Sequence, residues 1–222
     1  MKAIRQLLNI GLLFFGASLL MFTKVQAGSI YRYVYTGTNY SGIPGTAVIN
    51  LTTNASFPSF PDPSLSSELI QDTFDYPVNI SDNYGDQSEG FLTAPETGNY
   101  VFWLASDDNS ELWLSTDANP VHRVLIASVP GYTTEYQWNK YGSQQSTPIP
   151  LVKGNSYYLQ VLHKDATGGD NVAVGWQKPD GLVEQPMPTM YYQPYSITNL
   201  TPIITKNPQD ATAEDGHMVT FR

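Results

Sequence analysis

Residues 98–115 read GNYVFWLASDDNSELWLS and restrict the fold more than any other stretch of the chain. Tyr100-Val101-Phe102-Trp103-Leu104-Ala105 is apolar at every position. A strand made from it presents apolar side chains on both faces, as a strand covered on two sides must. Asp107-Asp108-Asn109-Ser110 interrupts the run with turn formers, and Leu112-Trp113-Leu114 resumes it. The spacing predicts a β-hairpin with a double carboxylate at its tip. A second pairing of this kind is predicted from a strand at 157–163, a polar Gly-rich loop at 164–169 and a strand at 172–176, with Asp170 and Asn171 at the end of that loop.

From Gly28 onward there is no long stretch with a helical apolar period, and short apolar runs recur between turn signals. Strands are predicted at 31–36, 91–93, 98–105, 111–115, 123–128, 156–163 and 171–177. Residues 46–51 suit a strand or a short helical turn, and 57–63 are Pro-rich and irregular. With 17 Gly, 16 Pro and 15 Tyr in 222 residues, the composition favours twisted sheets and turns over helical bundles. The predicted fold is all-β, an antiparallel β-barrel or β-sandwich.

The first 27 residues are set apart. Lys2 and Arg5 precede an apolar stretch over 7–22, and Val25-Gln26-Ala27 offers small residues where a signal peptidase reads, so residues 1–27 are expected to be an export signal. Of 11 basic and 20 acidic residues, the leader takes three basic and no acidic ones, which leaves the remainder at −12. Such a charge disfavours nucleic acid and anionic membranes, whose recognition needs clustered Lys and Arg. The absence of cysteine excludes a disulfide scaffold, thiol chemistry and cysteine-ligated metal folds. Past residue 195 the character changes: Ile203-Ile204-Thr205, Ala213-Glu214-Asp215-Gly216 and Val219-Thr220-Phe221 have the rhythm of the opening strands of an immunoglobulin-like sandwich, so 196–222 is expected to be a linker and an incomplete second domain.

Adjacent carboxylates at Asp107 and Asp108 repel unless something positive lies beside them. A calcium ion, which takes six to eight oxygens at roughly 2.3–2.6 Å, could draw them from Asp107, Asp108, Asp170 and Asn171 if the two loops lie side by side. The stretch Asp107-Asp108-Asn109-Ser110 also suits a solvated β-turn, because Asp and Asn bond their own backbone there.

The segments TAPETGNYVFWLASDD, SDDNSELWLS and LVKGNSYYLQVLHKDATGGDNVAVGWQKPDG, taken in order, resemble the protective-antigen-type (PA14) domain in its exported bacterial form, over about 31–195. That resemblance implies an antiparallel β-barrel used mainly to bind carbohydrate. In the lectin members two consecutive aspartates joined by a cis peptide bind calcium, and the ion takes vicinal sugar hydroxyls. Carried over, these are Asp107 and Asp108, with Asn171 and neighbouring Asp170 from the later loop. Tyr132, Tyr136 and Trp138, in the loop 130–140, are candidates to pack against a sugar ring. Trp103, Trp113 and Trp176 lie within apolar strands and read as core.

No G-x-S-x-G elbow is present, and His122, His163 and His217 lack zinc-site spacing. His163 reads as a packed or hydrogen-bonded residue. The expected function is therefore calcium-dependent binding of a glycan or cell-surface polysaccharide by a non-catalytic module of a secreted or cell-surface protein that does not insert into a membrane. Two alternatives stay open, a structural or adhesive module without glycan binding and a targeting domain of a carbohydrate-active enzyme.

Overall fold

The computed structural model describes residues 28–195; the predicted export signal and immunoglobulin-like tail lie outside the described residues. The elements are β1 (Ser29–Tyr35), α1 (Val48–Thr52), β2 (Ser67–Gln71), β3 (Tyr84–Thr93), β4 (Gly98–Asp107), β5 (Asn109–Ser115), β6 (Arg123–Val129), β7 (Ile149–Leu151), β8 (Ser156–Asp165), β9 (Asn171–Gln177), β10 (Val183–Glu184) and β11 (Tyr192–Pro194). One sheet has the order β2-β1-β3-β8-β5-β6, with β11 also paired to β3, and the other has the order β10-β9-β4-β7. Every pairing between named strands is antiparallel. The all-β expectation holds, and of its two forms the molecule takes the sandwich, since the two sheets do not close into one barrel.

Between the sheets, alternate residues of facing strands interdigitate. Phe102 and Leu104 from β4, Val174 and Trp176 from β9, and Leu159 and Val161 from β8 are each fully buried. Trp176 packs its ring on Tyr100, with centroids 5.3 Å apart, and donates its indole N–H to Glu184 at 2.7 Å, so its one polar atom is satisfied inside the core. Trp103 and Trp113, read as core from sequence, are half-buried instead. Both point to the opposite face of their strands from the core-facing residues beside them, which also shows that β4 is fully covered on one face only.

The two predicted hairpins do not form. β4 pairs with β9 and β7, and β5 pairs with β8 and β6. Asp108, the only residue between β4 and β5, therefore carries the chain from one sheet to the other. Residues 166–170 do the same between β8 and β9. A run of apolar residues, a polar break and a second run look identical in sequence whether the strands pair with each other or face each other across a core.

Residues 46–51 resolve towards the helical alternative. Val48 and Leu51, three apart, are buried on one side of α1, and the Asn50 side chain accepts the Ala47 N–H at 3.1 Å, capping the first turn. β3 is much longer than its apolar end at 91–93 suggested. Its first half, Tyr84-Gly85-Asp86-Gln87-Ser88, is buried because β1 and β8 flank it and supply Arg32 and His163 to Asp86.

Gly90 marks a close crossing. A Cβ there would lie 2.3 Å from the Gln193 carbonyl oxygen and 2.6 Å from Tyr192 Cζ. Gly90→Ala is expected to destabilise the domain by about 1–3 kcal/mol, whereas Gly142→Ala, with nothing within 4 Å of the added carbon, should change it by less than about 0.5 kcal/mol. Urea unfolding of the two variants checks the contrast.

Candidate functional site

The register of the paired strands brings the two sheet-to-sheet crossovers together. In one sheet Asp107 stands opposite Asn171, and in the other Asn109 stands opposite Lys164. Side chains directly opposite on antiparallel strands share a face, so Asp107 and Asn171 lie on the same side of their sheet.

Carboxylate oxygens of Asp107, Asp108 and Asp165 lie within 4.8 Å of one another. The Asp107–Asp108 peptide is cis, as the resemblance implies. Asp165 was not singled out by sequence, because it sits where a polar loop was expected; β8 in fact runs two residues beyond His163 and buries it. Neither of its oxygens has a hydrogen-bond partner. Asn171 donates its side-chain N–H to the Thr133 carbonyl at 3.1 Å. Since that partner only accepts, the orientation of the amide follows, and Asn171 Oδ1 is left buried and unpartnered. Beside them Gly169 leaves room: a Cβ there would come within 3.7 Å of Asp107 Oδ2.

Asp170 lies outside the cluster of three. Its Oδ2 accepts the N–H groups of Ile80 and Ser81 at 2.8 and 3.4 Å, and its carbonyl accepts that of Asn79 at 3.3 Å. It thereby straps the segment before β3 to the site, while its Oδ1 is unpartnered. Among the carboxylates the electrostatic cost is visible. Burial and the Asp108 charge push the Asp107 carboxyl up to about 6. Burial, with the charges of Asp108 and Asp170 and against the opposing influence of His163 and Lys164, pushes Asp165 up to about 7.

Such a set fits a hard divalent cation. All the donors are oxygen, several buried oxygens lack hydrogen bonds, and the repulsion among the acids is of the sort a cation relieves. Asp107, Asp108, Asp165 and Asn171 are the residues that could hold it, with Asp170 at the margin.

The predicted aromatic loop lies alongside. Thr133 is its anchor: its N–H donates to Ser106 O at 2.6 Å, and its hydroxyl accepts the Ser106 N–H at 3.0 Å, one residue from Asp107. Tyr136 and Trp138 stack with centroids 6.3 Å apart and planes at 22°, and Tyr136 donates its hydroxyl to Asp75 at 2.7 Å. Tyr132 is more than half exposed, but one face of its ring is capped by Lys140, whose Nζ is 3.4 Å from the centroid. The aromatic surface this loop exposes is thus the Tyr136–Trp138 stack together with the other face of Tyr132.

Comparison with known proteins places the chain. A solved structure described as the PA14 sugar-binding domain from an RTX adhesin superposes with a TM-score of 0.52 at 12% identity, covering 77% of this chain and 100% of that one. Mouse N-acetyl-beta-glucosaminyl-glycoprotein 4-beta-N-acetylgalactosaminyltransferase 1 is 36% identical over 138 residues, 60% of this chain and 13% of that protein. Dog fibrocystin is 34% identical over 104 residues, 41% of this chain and 3% of that protein. The chain therefore spans only a small part of the curated relatives it matches. The family model for the PA14 domain matches residues 77–189, about half of the chain, and the chain belongs to the PA14 domain family.

Proposed function

We propose that residues 28–195 form a calcium-dependent glycan-binding module of an exported or cell-surface protein. The observation that carries this reading is the convergence of three carboxylates and the unpartnered Asn171 oxygen where two crossovers meet, beside a surface aromatic stack. A bound calcium ion would supply a large, flexibly coordinated centre that can exchange water for two adjacent sugar hydroxyls. The chain's own residues do the rest. Asp107, Asp108 and Asp165 present the negative charge, Asn171 adds a neutral oxygen, and Thr133 holds the aromatic loop at the site. Tyr136 and Trp138 offer an apolar surface to the carbon face of a sugar ring, and the Asp75 hydrogen bond fixes its direction. Membership of the PA14 family and the fold shared with a sugar-binding domain support the same reading.

The similarity to a glycosyltransferase favours a second context for the same activity, in which the module directs a carbohydrate-active enzyme to its glycan. The mode of binding is the same in both.

A glycan array run with millimolar calcium and with chelator tests the proposal. Calcium-dependent signal on one glycan class is expected, with Asp107→Asn and Asp108→Asn each weakening binding by about 100-fold or more. Binding unaffected by chelator and by both variants would overturn it. A second expectation concerns stability. In the unfolded chain both acids ionise near pH 4, whereas folded Asp107 and Asp165 keep their protons to about 6 and about 7. From roughly pH 4 to 7 the cation-free native state holds more protons than the unfolded state, so this contribution to stability diminishes as pH rises. In chelator the melting temperature should therefore fall between pH 5 and pH 7.5, and calcium should raise it more at pH 7.5 than at pH 5. An equal calcium shift at both pH values, read by calorimetry, would contradict the assignment.

A further inference from the structure

Beneath the acidic pair runs a chain of buried charges that no part of the ion site uses directly. Arg32 on β1 donates its Nε–H to Asp86 Oδ2 at 2.9 Å and a second N–H to the same oxygen. Another N–H from its guanidinium reaches Tyr84 Oη at 3.0 Å. Asp86 faces His163 Nδ1, 3.4 Å from Oδ2 and 3.3 Å from Oδ1. On the other side of the ring, His163 Nε2 lies 2.7 Å from the backbone carbonyl oxygen of Asp107. Arg32, Asp86 and His163 are each at most 1% exposed.

The partners define the state of the imidazole. A carboxylate held ionised by an arginine accepts and does not donate, and a backbone carbonyl only accepts. Nε2 must therefore carry hydrogen and donate it to the Asp107 carbonyl, while Nδ1 faces the Asp86 carboxylate.

The other carbonyl of the acidic pair is also held from inside. Ser106 donates its hydroxyl to the Asp108 carbonyl at 2.7 Å, and Ser106 is itself gripped by Thr133. With both backbone oxygens bound to internal donors and Asp108 Oδ2 accepting the Ala166 N–H at 3.0 Å, the remaining carboxylate oxygens of Asp107 and Asp108 are the parts of this turn left to meet a ligand.

We propose that His163 is the positioning residue of the ion site: clamped by Asp86 and Arg32, it donates Nε2–H to the Asp107 carbonyl and so fixes the direction in which the Asp107–Asp108 carboxylates project. It touches neither ion nor sugar. The inference rests on the calcium-binding reading above and adds to it the residue that sets the geometry of the acids.

Two substitutions separate positioning from packing. His163→Phe keeps a ring in the cavity and against Tyr84, whose ring centroid is 5.8 Å from that of His163, but has no donor. His163→Gln carries an amide N–H able to reach the same carbonyl. By isothermal titration calorimetry at a temperature where each variant is folded, His163→Phe is expected to weaken calcium binding at least 10-fold. His163→Gln is expected to stay within about 3-fold of the parent. Asp86→Asn, which leaves the ring in place but replaces the charged acceptor that orients it with a neutral amide, should fall between the two and serves if His163→Phe does not fold. Calcium affinity in His163→Phe equal to the parent, or His163→Gln as weak as His163→Phe, would overturn the inference while leaving the calcium reading intact. A parent protein that takes up no calcium would instead defeat the underlying reading. The positioning claim then stands or falls on NMR of the cation-free protein, where an exchange-protected Nε2–H signal on the His163 ring is expected and its absence would refute it.

Discussion

Strand register is the constraint on which the rest depends. Asp107 opposite Asn171 in one sheet and Asn109 opposite Lys164 in the other oblige two separate changes of sheet to occur at the same end of the sandwich. Because successive side chains alternate between faces, a slip of one residue in either pairing would turn the Asn171 or Lys164 side of the match to the opposite surface. The acids meet because ten-residue strands β3, β4 and β8 and their partners are held by a shared apolar core.

That core is conventional, but the wide sheet above it is not uniformly apolar. The middle of β3 buries Asp86, Gln87 and Ser88, and β1 and β8 bring Arg32 and His163 to the acid. Burying a charge without a partner costs several kcal/mol; here Arg32 and Asp86 pair with each other, His163 faces the same carboxylate, and the line of polar contacts ends at the carbonyl of Asp107. Packing and the geometry of the candidate site are linked through that line.

Local pattern revealed much of this. The ends of β9 and the start of β8 could be read from apolar runs bounded by polar loops, and the acidic pair was conspicuous where it interrupted one. What pattern could not supply was pairing. The polar half of β3 looks like loop because the residues that justify its burial lie 54 and 77 positions away. Asp165 was hidden for the same reason, since only its pairing with Tyr84 extends β8 to include it. The mistaken hairpins show that a turn between two apolar runs says where a chain reverses but not which neighbour the strands choose. Tyr132 was visible as a loop aromatic, yet the Lys140 ammonium over its ring required the folded loop.

The attachment of the aromatic loop has a consequence for diversification. Between Gly131 and Tyr141 its direct link to the strand that ends in the acids is made by Thr133, with Gln137 tied to Leu104 through the Gln144 amide, whereas the acid-bearing turns are fixed by two sheets at once. Composition on the far side of that anchor can drift, lengthen or be grafted from another protein while the charged floor stays in register. On the proposed reading, a lineage built on this scaffold can change which ligand it prefers without rebuilding how it holds on.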